Sequence, residues 1–178
     1  MEINIDPAEA GWSQYSPPVV TTTEPRKYIK DQAIASFLIN AILNGLIAFF
    51  SYKSRSIIPY SELAIDVLIS VFIITFFTSW IVVGGARGEY RKGNLTKKRS
   101  ARKGLKLPKA SVLRALLISL VIVVVFGGFL LDGLIYLISP EGVSSWIYIA
   151  LKTLYTGASG ALASALTIMS IVNDENRS

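Results

Sequence analysis

Read for the run of apolar and polar positions, the chain contains four stretches apolar enough to cross a hydrocarbon core, near Ala33 to Tyr52, Leu63 to Gly85, Val112 to Ile138 and Ser145 to Val172. A crossing needs about 20 helical residues at a rise of about 1.5 Å each. The third and fourth stretches exceed that, which predicts tilt or short extensions beyond the membrane. The first is not a cleaved leader: Glu2, Asp6, Glu9 and Glu24 precede it, no basic residue does so before Arg26, and no small-residue cleavage site follows a short apolar core.

The placement of lysine and arginine sets the expected orientation. Between the second and third stretches lie Arg87, Arg91, Lys92, Lys97, Lys98, Arg99, Arg102, Lys103, Lys106 and Lys109, against the single acid Glu89. By the excess of positive charge on cytoplasmic loops, this segment faces the cytoplasm. An even number of spans then puts both termini on the same side, in agreement with Arg26, Lys27 and Lys30 and with the polar tail after Val172. Lys53 and Arg55 fall on the opposite side and argue the other way, but two charges do not outweigh ten. The short turn Ser139 to Ser144 carries only Glu141, with Pro140 and Gly142 as breakers.

The chain therefore divides into an acidic, unstructured tail (1–30), a first hairpin (31–85), a basic loop (86–110), a second hairpin (111–172) and a short cytoplasmic tail (173–178). The tail is rich in Pro and Thr and has no sustained apolar period. The basic loop fits topology control and attraction to anionic lipid head groups, at about 1 kcal/mol per cation near the surface. Arg91, Lys92, Lys97, Lys98, Arg99, Arg102 and Lys103 are its head-group candidates. Nucleic acid is not expected, because aromatic residues other than Tyr90 are missing from the run. Asn94-Leu95-Thr96 is a glycosylation triplet that would be inert on the cytoplasmic side.

Composition narrows the chemistry. Of 178 residues 52% are hydrophobic and 17% charged, which is too apolar for a soluble enzyme of this size. There is no cysteine and no histidine, which excludes thiol and imidazole catalysis and His- or Cys-ligated metal sites. No nucleotide-binding loop or hydrolase elbow is present. No catalytic residue, metal or cofactor is expected.

An internal repeat organises what remains. Leu43-Asn44-Gly45-Leu46-Ile47 matches Leu131-Asp132-Gly133-Leu134-Ile135, and Ala64-Ile65-Asp66 aligns with Ala150-Leu151-Lys152, followed by Ser70 with Thr156 and Thr78 with Ser164. This predicts an all-α, four-helix transmembrane bundle of two parallel-repeat hairpins, related by an axis along the membrane normal. Counted inward from the outer ends, Asn44, Asp66, Asp132 and Lys152 lie at a common depth of about 7–11 Å. Ionisable groups in a span cost about 3 kcal/mol each and pair when they can. Lys152 is expected to pair with Asp132 and Asp66, with Asn40 and Asn44 completing the hydrogen bonds. Two carboxylates against one ammonium leave one negative charge, which invites a proton or a cation. Such a layer reads either as glue fixing helix register or as a binding or relay site.

The fourth stretch is rich in small residues, with Gly157, Ala161 and Ala165 at four-residue spacing and Gly160 with Ser164 likewise, the pattern of a closely packed helix. A polar line from Lys152 through Thr156, Ser159, Thr167 and Ser170 either lines a narrow path or serves tight contact. Gly127-Gly128 predicts a kink or close approach in the third stretch. The spacing around Asp132 departs from the Gly-x-Gly-Asp signature of intramembrane aspartyl proteases, so a catalytic aspartate dyad is not expected.

The segment Ile39 to Ala48, the Ala64-Ile65-Asp66 start of the second span, Arg91-Lys92-Gly93 and Lys152 resemble small four-span bacterial membrane proteins of uncharacterised function. The resemblance covers about residues 33–172 and implies a multi-pass protein of the bacterial plasma membrane, without an activity or ligand. Two functions are consistent with the sequence. One is passage of a small solute or ion, cation- or proton-coupled, through a homo-oligomer, since four helices alone rarely enclose a route. The other is a non-transporting helper that docks a protein partner.

Overall fold

The computed structural model describes residues 23–95 and 107–175. It is mainly helical, and four of its helices are long and apolar enough to cross a membrane. Helix α1 spans Pro25–Tyr52. It begins eight residues before the expected Ala33, so Arg26, Lys27 and Lys30 belong to a helix and not to the tail. The cause is local: Pro25 takes a first-turn position, where its missing N–H costs nothing, and Glu24 before it is extended.

A two-residue strand β1 (Ile57–Ile58) leads into α2 (Tyr60–Arg91), which starts after Pro59 and is followed by Lys92 and by Gly93, whose φ of +76° suits glycine. Arg87, Glu89 and Arg91 are therefore helical, and the expected basic loop is shorter than its sequence bounds. The third stretch is broken into α3 (Ser111–Ile122), a π-helical stretch (Val123–Asp132) and α4 (Gly133–Ile138). Gly127 and Gly128 sit inside the π stretch, and a Cβ on Gly127 would lie 3.6 Å from Leu68 of α2. A wide turn thus coincides with the glycine pair where a kink is predicted, and it seats the backbone on α2. Strand β2 (Val143–Ser144) pairs antiparallel with β1, Ile57 opposite Ser144 and Ile58 opposite Val143, and α5 (Ser145–Glu175) follows. Gly142 makes the approach to β2, with φ +127° and no room for a Cβ against the Ile58 carbonyl.

The larger helix contacts run between the hairpins rather than within them. Helix α1 packs on α5, α3 and the π stretch pack on α2, and the parallel helices α2 and α5 lie against each other in the middle. At the ribbon end, where β1 and β2 pair, Ile58, Leu63, Val67, Tyr148 and Tyr155 form one buried cluster. At the basic end, Val83, Ala86, Leu95, Ile168 and Ile171 form another. In a bilayer such apolar contacts gain little over contact with lipid tails, so shape and polar bonds must decide which helices meet. Shape decides α1: a Cβ on Gly157 would lie 2.9 Å from Phe37, and one on Gly45 would lie 2.6 Å from Thr153 Oγ1. Gly157 and Gly160 of α5 thus seat α1.

Candidate functional site

Asp66 is one and a half turns into α2, and Lys152 lies at the matching level of the parallel α5. Lys152 Nζ is 2.5 Å from Asp66 Oδ2. The Tyr148 hydroxyl, one turn before Lys152 on the same helix face, donates to the same oxygen. Ser70 Oγ donates to Oδ1 over 3.4 Å, and the Tyr148 and Tyr155 hydroxyls are 3.4 Å apart. The ammonium also lies 5.9 Å from the ring centroids of Tyr52 and Tyr148, within reach of cation–π attraction. Lys152 is nearly sealed, its side chain 5% exposed, whereas Asp66 retains 24%. The pair is neutral, and its acid is the more accessible half.

The asparagines do not join this pair. Asn40 Nδ2 donates to Ser36 O at 2.8 Å and to Thr78 Oγ1 at 3.4 Å, and Asn44 Nδ2 donates to Asn40 O at 2.9 Å. Both line a cleft between α1 and α2. They were expected to complete the hydrogen bonds of the layer; the Tyr148 and Ser70 hydroxyls, which donate to the Asp66 carboxylate, are found there instead. Asp132 closes the π stretch, and its side chain lies outside the described residues.

The polar line on α5 is buried along its whole length. Three of its hydroxyls are spent on carbonyls of their own helix: Thr156 on Lys152 O, Ser159 on Tyr155 O and Ser170 on Thr167 O, each at 2.7 Å. Thr167 Oγ1 has no hydrogen-bond partner among the described residues, and neither does Ser164 or Ser79 Oγ. This is a packed seam between helices, and the two cavities described below have other linings.

A second ion pair sits at the basic end and was not anticipated. Arg114, with a fully buried side chain, bonds Asp174, whose side chain is 29% exposed. Its Nε donates to Pro108 O at 3.0 Å, one terminal nitrogen to Ser170 Oγ at 3.1 Å and the other to Leu107 O at 3.5 Å. Beside it, Arg87 donates to Lys109 O at 2.6 Å and Ser111 Oγ at 2.9 Å. Two arginine forks thus fasten the approach to α3. The sequence signal was partial, since Arg114 is a cation three residues into an apolar stretch but close behind a basic run.

Of the head-group candidates, Arg91 and Lys92 are exposed at the end of α2, and Lys97, Lys98, Arg99, Arg102 and Lys103 lie outside the described residues. Ahead of them Thr23 N donates to Asn94 O at 2.8 Å, joining the start of α1 to the end of α2. At the ribbon end the two contrary cations are both engaged. Lys53 lies 5.2 Å from the ring centroids of Phe49 and Phe50, and Arg55 pairs with Glu62, whose hydrogen bond raises the guanidinium pKa above its ordinary value.

Two cavities open between helices. One, of about 660 Å³, is almost wholly apolar and lies between α5 and the π stretch with α4, its floor reaching Tyr155. The other, of about 460 Å³, is the α1–α2 cleft holding Asn40, Asn44, Ser36, Gln32 and Thr78. Among the described residues no cluster of acidic side chains suited to a metal ion is present. Comparison with protein-family models, curated proteins and solved structures gives no match.

Proposed function

We propose that the chain is a multi-pass protein of a bacterial plasma membrane that passes a small solute or ion across the bilayer in a cation- or proton-coupled way. The observation that carries this reading is the Asp66–Lys152 pair between the two central helices, with its carboxylate part-exposed and its ammonium sealed. A proton or small cation arriving at Asp66 competes with Lys152 for the carboxylate. Whatever displaces the ammonium leaves it buried without a counter-charge, a cost that favours a second helix arrangement.

The two hairpins supply the moving parts. We read them as parallel repeats about an axis along the membrane normal, and three features support this. The loop strands pair antiparallel, α1 sits on α5 as α3 sits on α2, and Asp66 and Lys152, equivalent in the repeat, face each other. The basic segment and both termini are cytoplasmic in this reading, and anionic head groups hold the basic segment. Lys53 and Arg55, engaged locally by aromatic rings and Glu62, weigh less against that orientation. A homo-oligomer completes the route. The resemblance to small four-span bacterial membrane proteins agrees with this location.

Flux through liposomes containing the purified chain tests the proposal: wild type passes a small cation or proton, while Asp66→Asn and Lys152→Met do not. A second reading, a helper that docks a membrane partner, is favoured by the hydroxyls of α5 being spent on their own helix. Recovery of a stoichiometric partner without flux in any preparation replaces the first reading by the second.

A further inference from the structure

The α1–α2 cleft combines features that neither helix packing nor the ion pair explains. Gln32, Ser36, Asn40 and Asn44 recur every four residues on α1 and so form one stripe, and all four line the cavity with Thr78 opposite. Asn40 reaches the cleft floor because Gly160 of α5 has no side chain to obstruct its carboxamide. Asn40 uses both of its amide N–H groups and Asn44 one, and among the described residues their carboxamide oxygens accept no hydrogen bond. The remaining lining is aliphatic or aromatic, including Ile39, Leu43, Ile47, Ile73 and Phe77, and among the described residues no charged side chain is part of it.

Free acceptors within the apolar span of two helices call for donors, because hydrocarbon supplies none. The absence of any charged side chain in the lining excludes a phosphate or an ammonium, which would lie there without a counter-charge. The apolar walls suit a hydrocarbon body, and about 460 Å³ is within the range of small-molecule clefts. We infer that this cleft binds an uncharged amphiphile, a hydroxyl head group on Asn40 and Asn44 with its tail along the apolar walls. The site rests on the membrane placement proposed above and names the class of solute the protein handles. Binding itself does not depend on transfer.

The test uses the full chain in phosphatidylcholine vesicles with two photoreactive probes of identical tails, a diacylglycerol and a phosphatidylcholine. The diacylglycerol probe labels peptides of α1 and α2 in preference to the phosphatidylcholine probe, and unlabelled diacylglycerol competes. Asn44→Leu removes one acceptor and, because Asn44 bonds only its own helix, leaves the packing alone. It lowers labelling about five-fold, the factor for one hydrogen bond. Ile39→Trp, which fills the cleft, abolishes labelling by a different route. Equal labelling by both probes overturns the inference. So does labelling that neither substitution changes, or a cleft that crosslinks only to a second protein chain. Labelling without flux leaves the site and removes the passage reading, and flux without labelling does the reverse.

Discussion

Tyr148 and Lys152, one turn apart on α5, converge on a single oxygen of Asp66. Hydroxyl and ammonium thereby share one acceptor, and the second carboxylate oxygen faces only Ser70. The consequence is an asymmetry in what each partner can lose. Without Asp66, Lys152 is a sealed ammonium left without a counter-charge beside two tyrosines; without Lys152, Asp66 keeps two hydroxyl donors and some solvent access.

Asp66→Leu therefore costs more than Lys152→Met. Removing one partner of a buried pair destabilises by about 3–5 kcal/mol, and the loss of Asp66 falls in that range. Lys152→Met costs about 2 kcal/mol, because the remaining carboxylate keeps its hydrogen bonds. The double variant is more stable than the sum of the single losses predicts, since neither charge is then orphaned. Denaturant titration in detergent of the four proteins checks this, and additive losses contradict the coupling.

The seating of α1 on α5 gives a sharper contrast. Gly160→Val drives a branched side chain into Asn40, with its Cβ 3.1 Å from Ser36 O, and costs about 2 kcal/mol. Gly84, also helical, has nothing within 4 Å of a built Cβ, so Gly84→Ala stabilises by up to about 1 kcal/mol through helix propensity. Thermal melts in one detergent separate the two. Equal behaviour means that α1 is not seated through Gly160.

How much was legible in the sequence follows from these particulars. The four apolar stretches were legible because length and apolarity are properties of the chain alone. Their ends were not: Pro25 extends α1 backward, and α2 runs on through Arg87 and Arg91 because charged residues are good helix formers beyond an apolar core. Common depth put Asp66 and Lys152 in one layer, but depth says nothing of azimuth, and azimuth turned Asn40 and Asn44 toward the cleft. The stripe reached Gln32 only once α1 proved to begin at Pro25; Ser36, Asn40 and Asn44 already lay inside the expected span. Arg114 was hidden differently, since a cation at the edge of a span, close behind a basic run, is ordinary in sequence and only its burial marks it out.

Arg114 carries its own prediction. Its fork satisfies Asp174, Ser170 and two carbonyls that precede α3, in directions no single ammonium can span. Arg114→Lys keeps the charge yet loses about 2 kcal/mol, and Asp174→Asn, at a part-exposed position, loses about 1 kcal/mol. Unfolding in denaturant measures both. If Arg114→Lys is as stable as wild type, the guanidinium acts only as a charge, and the carbonyl bonds contribute nothing.

Orientation is testable because the chain has no cysteine, so any introduced thiol reports alone. Glu141 lies in the turn before β2 and is exposed, and Lys92 is exposed at the end of α2, at opposite ends of the helices. With the basic end in the cytoplasm, Glu141→Cys reacts with a membrane-impermeant maleimide in intact bacterial cells. Lys92→Cys reacts only after the membrane is permeabilised. Ten cations on the basic side outweigh Lys53 and Arg55, so Lys53→Gln with Arg55→Gln leaves the pattern unchanged. The reverse labelling pattern puts the basic segment outside and removes the cytoplasmic placement of both termini along with it.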